Sequence, residues 1–276
     1  MSVDNDPFEE VRLEADPLEQ ARMAGDLMSL YRQRGYELAR IRRDAINRVV
    51  AQRGVTFSAV GAELGLTRGR ISQIRKDAPA TERAFFGVGP IEVATATRHS
   101  AERPEGVMAL EDAESTRIIT DVLRELAFEV RPVAIPVDGA WTPAHEAVVI
   151  CGPKSSHVSA EILSHDPVLN FHEVEGGRWV IEDRATGHRF ESPLDDGAKG
   201  QDVAYLGRVT RGGKTVLVIA GVHALGSIGA VSYLAENLQA IHDAVGTNDF
   251  SMVVRANFEG LTPTTKEAVW GPISHA

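Results

Sequence analysis

Cysteine is almost missing. Cys151 is the only one in 276 residues, so no intramolecular disulfide can form, and a reducing cytoplasm is the expected compartment. A secretory leader is not expected, because the opening MSVDNDPFEE is acidic and lacks an apolar core. Long apolar runs are scarce too. Residues 215–235 hold no Asp, Glu, Lys or Arg, which is membrane-span length, but glycines and His223 interrupt the middle of the run. A buried strand, a glycine loop and a buried helix are expected there, and no membrane partner. The nine histidines are scattered. His157, His165, His172 and His188 have no ligand spacing, so no metal site is expected. The nucleophile elbow GxSxG, the P-loop and the dinucleotide GxGxxG are all lacking. No catalytic residue is nominated and no cofactor is named.

Acidic side chains are scarce in one place only. The net charge is −10, yet residues 31–80 carry eleven basic and four acidic side chains. Residues 1–30 carry two basic and eight acidic ones, and the remainder is acidic as well. Affinity for DNA begins with neutralised phosphates, and the basic island is where that would happen.

Within the island lies TFSAVGAELGLTRGRISQIRK, residues 56–76. Thr56 can cap a first short helix whose Phe57, Val60 and Leu64 share a face. Gly65 suits the left-handed helix end, Leu66 anchors the turn, and Thr67 can cap a second helix. Ile71 and Ile74 then point inward. Arg68, Arg70, Ser72, Gln73 and Lys76 are left as the DNA-reading face, because Arg and Gln carry the bidentate groups that read G and A edges. A preceding helix over 36–52 supports the pair, with Arg40, Arg43 and Arg48 as phosphate contacts. Another helix, over 18–31, is either further support or a dimerisation arm. The string LGLTRGRISQIRK resembles the helix-turn-helix of bacterial sigma factor region four. The resemblance implies DNA binding. It does not imply promoter melting, since no aromatic-rich melting helix accompanies it.

After an acidic flexible tail (1–17) and the helix-turn-helix domain (18–80), residues 81–106 read as a linker with scattered Pro, Ser, Thr and Gly. From 107 the texture alternates. A short strand (107–110), a helix (113–127), a strand (128–135), a buried strand (147–151) and a short helix (158–163) follow one another. Hairpins are expected over 169–191 and 204–220, the latter turning at Gly212-Gly213. A long helix follows Gly226, then a strand over 250–254 and an irregular tail after Gly260. The fold class is therefore α plus α/β: a helical helix-turn-helix domain, then an α/β domain (107–276). Its sheet is expected to be mostly parallel, with an antiparallel hairpin insertion.

Ligand crevices in such sheets open at the carboxyl ends of strands. Three turns qualify: one at Glu111 and Asp112, one at Gly152, Lys154, Ser155 and Ser156, and one at Gly221, His223, Gly226 and Ser227. Small residues at helix N-termini let backbone N–H groups approach an anion, and Lys154 adds a full charge. The bland alternative is that the glycines only allow close helix–sheet packing. CGPKSS and AGVHALGSIGA also resemble the GGPxxN-like and AGxHxxGT-like turns of uncharacterised bacterial α/β domains, which implies the fold and the two loops but no activity. A fainter resemblance, through Leu110-Glu-Asp and Ala127-Phe-Glu-Val130, is to the start of TIR domains. It implies NAD cleavage with Glu161 as the positional candidate. The combined expectation is a homodimeric one-component regulator that binds double-stranded DNA and a small anionic ligand such as a nucleotide. A nucleotide-processing enzyme with a DNA-binding module is the alternative.

Overall fold

A computed structural model describes residues 6–103 and 106–275. The chain forms two compact units. One takes the residues up to Thr81 with Val88–Pro90 and Ala127–Glu129, and the other takes the rest.

The first unit is helical. Asp6 accepts from the Phe8 N–H and opens α1, Pro7–Leu13, inside the segment read as an acidic tail. Residues 1–5 of that tail lie outside the described residues. Asp16 likewise accepts from the Leu18 N–H and opens α2, Pro17–Arg53. The two helices expected over 18–31 and 36–52 are this one element of 37 residues. No proline separates them, and a lone glycine such as Gly35 costs a helix only about 1 kcal/mol. Gly54, in the left-handed conformation, ends it. Helices α3, Phe57–Glu63, and α4, Arg68–Asp77, follow. Ile46, Val60, Ile71 and Ile74 form the core between these three helices.

The second unit is built on a seven-stranded sheet. Its strands are β1 Ile91–Ala96, β2 Val130–Ile135, β3 Glu146–Ile150, β7 Gln201–Arg211, β8 Lys214–Gly221, β9 Phe250–Glu259 and β10 Thr262–Ser274. They lie in the order β10-β9-β7-β8-β3-β1-β2. The pairs β1–β2, β1–β3 and β3–β8 are parallel. The pairs β7–β8, β7–β9 and β9–β10 are antiparallel. The sheet is thus mixed, with its parallel strands together on one side. A separate antiparallel sheet holds β4 Leu169–Glu173, β5 Trp179–Asp183 and β6 Arg189–Glu191. This is the hairpin insertion expected from the sequence. The 204–220 hairpin belongs to the main sheet instead. Helices α5, Leu110–Glu125, and α7, Ala224–Val245, pack against each other and against main-sheet strands. Helix α6, His157–Ser164, and the small sheet share a core with Ala94, Val149, Tyr205 and Val218.

Three readings from the sequence are corrected here. The linker over 81–106 contains β1, whose six residues are all buried; the apolar stretch 84–88 before it, expected to pack as a short strand or cover, has Ala84, Phe85 and Phe86 buried in a short helical turn with Arg83. The polar residues of β1 disguised it. Glu92 accepts from the Ala144 N–H and Thr95 bonds to Thr116, so both polar side chains are partnered at the strand. The strand expected over 107–110 is a single bridge, Arg98 to Val107, and Leu110 already belongs to α5. The irregular tail is β10, an edge strand with three register shifts against β9. Those shifts erase the alternation that marks a strand.

Candidate functional site

In the helix-turn-helix the local chemistry is as expected. Thr56 accepts from the Ala59 N–H and Thr67 from the Arg70 N–H, both at 3.2 Å. Gly65 is left-handed at φ 67°. A Cβ on Gly61 would meet the Leu66 carbonyl oxygen at 3.0 Å and the Ile71 side chain at 3.1 Å, so the two helices and their turn close on a bare backbone. Leu64, expected inward, is 52% exposed; Leu66 takes the place beneath the turn. Ile71 and Ile74 are buried, while Arg68, Arg70, Ser72, Gln73 and Lys76 are exposed. Arg70 Nη1 donates to Gln73 Oε1 at 2.9 Å, which holds these two side chains next to each other on the outer face of α4. Arg75 lies 3.8 Å from the centre of the Phe57 ring and staples α4 to α3.

Arg48 is exposed, as a phosphate contact needs to be. Arg43 is not available for that role. Its guanidinium donates to Asp44, to the Ala78 and Pro79 carbonyls and to Thr81 Oγ1, fastening the chain beyond α4 to α2. Arg40 is likewise held between Glu37 and Asp44, with its side chain 15% exposed.

The second candidate site lies at the carboxyl ends of β1, β3 and β8. Helix α5 follows β1, and α6 follows β3. A cavity of about 130 Å³ opens at these strand ends, lined by Asp112, Gly152, Lys154, Ser155, Gly221, His223 and Ser227. These seven come from the three turns singled out in the sequence. Arg98, Cys151, Val222 and Ala224 line it as well. An adjoining cavity of about 290 Å³ shares Arg98, Lys154 and Ser155 and adds His99, Ser156 and His157. The other expected residues stand apart. Glu111 lines neither cavity, and Gly226 is buried beneath the loop.

The charges are arranged in layers. Arg98 donates to the buried Asp112 at 3.0 Å. Burial pushes the Asp112 carboxyl up from its ordinary range, and Arg98 opposes that shift. Burial, and secondarily Asp112, raises the Cys151 thiol to about 11, which favours the neutral thiol on this wall of the cavity. Lys154 is exposed at the rim. His223 Nε2 bonds to Asp195 Oδ1 at 2.9 Å.

The N-terminus of α7, expected to receive an anion, is filled by the chain itself. Asp202 is fully buried. It accepts from the backbone N–H groups of Val203, His223 and Gly226 and from the Ser192 hydroxyl. Burial raises its pKa, and the Ser192, Val203 and Gly226 hydrogen bonds oppose the shift. The Ser227 hydroxyl accepts from the Gly221 N–H, and Ser156 caps α6 at Ser159. The glycines there serve packing. A Cβ on Gly226 would lie 2.5 Å from the Val203 carbonyl oxygen, and one on Gly229 2.6 Å from Ala256 Cβ. What the crevice offers an anion is therefore the side-chain charge of Lys154, beside an Arg98 already paired with Asp112.

Glu161 lies outside this crevice. It is exposed on α6 and accepts from Arg211 at 2.6 Å, beside a different cavity that includes Trp141. Sequence reasoning missed Arg98, Asp195 and Asp202. Arg98 follows β1 by two residues and was hidden with it in the supposed linker. Asp202 is a lone acid at the head of an apolar run, a signal that could have been read as a buried carboxylate needing donors. No helix is long and apolar enough to cross a membrane, and no group of three His, Cys, Asp or Glu side chains could hold a metal ion, among the described residues. No family model matches the chain, and no curated protein matches it.

Proposed function

We propose that this protein is a cytoplasmic one-component transcriptional regulator. Its helix-turn-helix binds double-stranded DNA, and its α/β unit binds a small anionic ligand such as a nucleotide or sugar phosphate. The observation that carries the DNA reading is α4. Its inner face is sealed by Ile71 and Ile74, and its outer face presents Arg68, Arg70, Ser72, Gln73 and Lys76 to solvent. Arg70→Ala should weaken binding to a selected duplex by about 1–3 kcal/mol and relax specificity at one base pair. A gel-shift titration measures this, and equal affinity for the parent and R70A would count against DNA reading.

Ligand binding is supported by the crevice at the ends of parallel strands, where the exposed Lys154 supplies positive charge and the Arg98–Asp112 pair adds hydrogen-bonding groups. Lys154→Ala should weaken a nucleoside phosphate at least tenfold in calorimetry and leave basal DNA affinity unchanged. If no nucleotide or sugar phosphate releases heat with the parent protein, the sensing role fails. His223, which lines the same cavity and is held by Asp195, supports a second reading, an enzyme that turns over the nucleotide. Chromatography of nucleotides after incubation with the protein separates the two.

A further inference from the structure

Helix α2 carries an apolar face that its own unit leaves uncovered. Met28 is 67% exposed, Leu38 66% and Ile41 44%, and Tyr31 beside them is 40% exposed although Phe8 of α1 stacks on its ring. These residues follow one another at spacings of three and seven, the spacing of a helix–helix seam. Single exposed apolar residues are ordinary, but four of them within four turns of one helix mark a contact surface. Ser29 and Gln33, on another side of α2, are buried, so the helix is already anchored there and the seam is left for something else.

We propose that this seam pairs with the same seam of a second copy of the chain, with the two α2 helices antiparallel. The charge along the helix selects both partner and direction. Residues 32–53 carry seven basic and two acidic side chains, whereas residues 6–16, which include the turns of α1 beside the other half of α2, carry one basic and five acidic. A parallel pair would lay basic half on basic half. An antiparallel pair lays each acidic end along its partner's basic end. Centring the seam between Arg34 and Gly35 brings Met28 opposite Ile41 and Tyr31 opposite Leu38 in both directions, as a two-fold axis requires.

The spacing agrees with the proposed DNA role, on which this part of the argument rests. The helix-turn-helix packs on α2 around Ile46, Val49 and Val50. That is roughly 13 residues from the seam's centre, or about 20 Å at 1.5 Å per residue. Two modules would then stand about 40 Å apart along the shared axis, close to the ~35 Å between half-sites one helical turn apart.

The test uses the full chain. Sedimentation equilibrium should show a dimer for the parent. Met28→Glu combined with Leu38→Glu should weaken self-association at least thirtyfold while the far-UV circular dichroism spectrum is unchanged. A monomeric parent, or a dimer insensitive to that double change, would overturn the interface. Direction is read by oxidative cross-linking. Cys151 is buried, so Gly35→Cys should form a covalent dimer near the two-fold axis. Ile41→Cys, about 20 Å from its own copy across the axis, should not. Cross-linking at both positions would overturn the antiparallel arrangement. Arg68→Ala should stay dimeric, and a parent dimer that binds no duplex would sink the DNA reading while leaving the interface standing.

Discussion

Asp202 shows how a single side chain decides what a loop can do. A strand end, a glycine turn and a helix N-terminus make a receptor for negative charge, and the sequence around Gly221 and Gly226 supplies all three. The protein has put its own carboxylate there, with four donors converging on it. Removing the carboxylate would strand those donors in a fully buried place. Asp202→Ala should therefore destabilise the sheet unit by about 3 kcal/mol, since each orphaned buried donor costs about 1–3 kcal/mol and some will find water. A lower urea midpoint at unchanged slope would show this. A change under 1 kcal/mol would mean that the loop does not depend on Asp202. At the same scale Arg43 departs from its expected role because its donors are used inside the fold, whereas Arg48, further along the same helix, stays exposed.

At the scale of elements, the helix-turn-helix depends on how closely α3, the turn and α4 approach. Gly61 is the point of closest approach. Gly61→Ala should shift the Leu66 carbonyl or Ile71 and cost about 1–2 kcal/mol, the usual cost of overpacking. The loss should be confined to this unit. Hydrogen exchange of α3 and α4 amides would speed up while that of β3 and β8 stays as in the parent; a uniform increase would contradict it. Strand β1 makes the complementary point. Its Glu92 and Thr95 are polar by composition, but hydrogen-bonded in place they are as buried as the apolar residues between them.

Over the whole molecule, charge is segregated. Cations concentrate in residues 31–80 of an otherwise acidic chain, so the helix-turn-helix is the part that attracts a polyanion and the rest is repelled by it. Three exposed cations per copy beside the base-reading Arg70, namely Arg48, Arg68 and Lys76, would contact about six phosphates in the proposed paired complex. The slope of log affinity against log salt should then be about −5, and Lys76→Ala should reduce it by about 2. A slope shallower than about −2 would mean that these side chains do not meet the backbone of the duplex.

Local signals were legible wherever the chemistry is local. The caps at Thr56 and Thr67, the left-handed Gly65, the inward Ile71 and Ile74, and the apolar runs of β3 and β8 each follow from neighbours a few residues apart, and the structure keeps them. The three strand-end turns were legible for the same reason, and seven of their residues line one cavity. What the tertiary structure alone decided depends on partners far along the chain. Arg98 reaches that cavity because β1 is inserted between β3 and β2. Asp202 closes the α7 N-terminus because β7 runs beside β8. The antiparallel side of the sheet extends past the 204–220 hairpin because β9 returns beside β7 instead of extending the parallel side. Pattern along a sequence reports which face of an element is apolar; which strand lies next to which is set by the packing of the whole sheet.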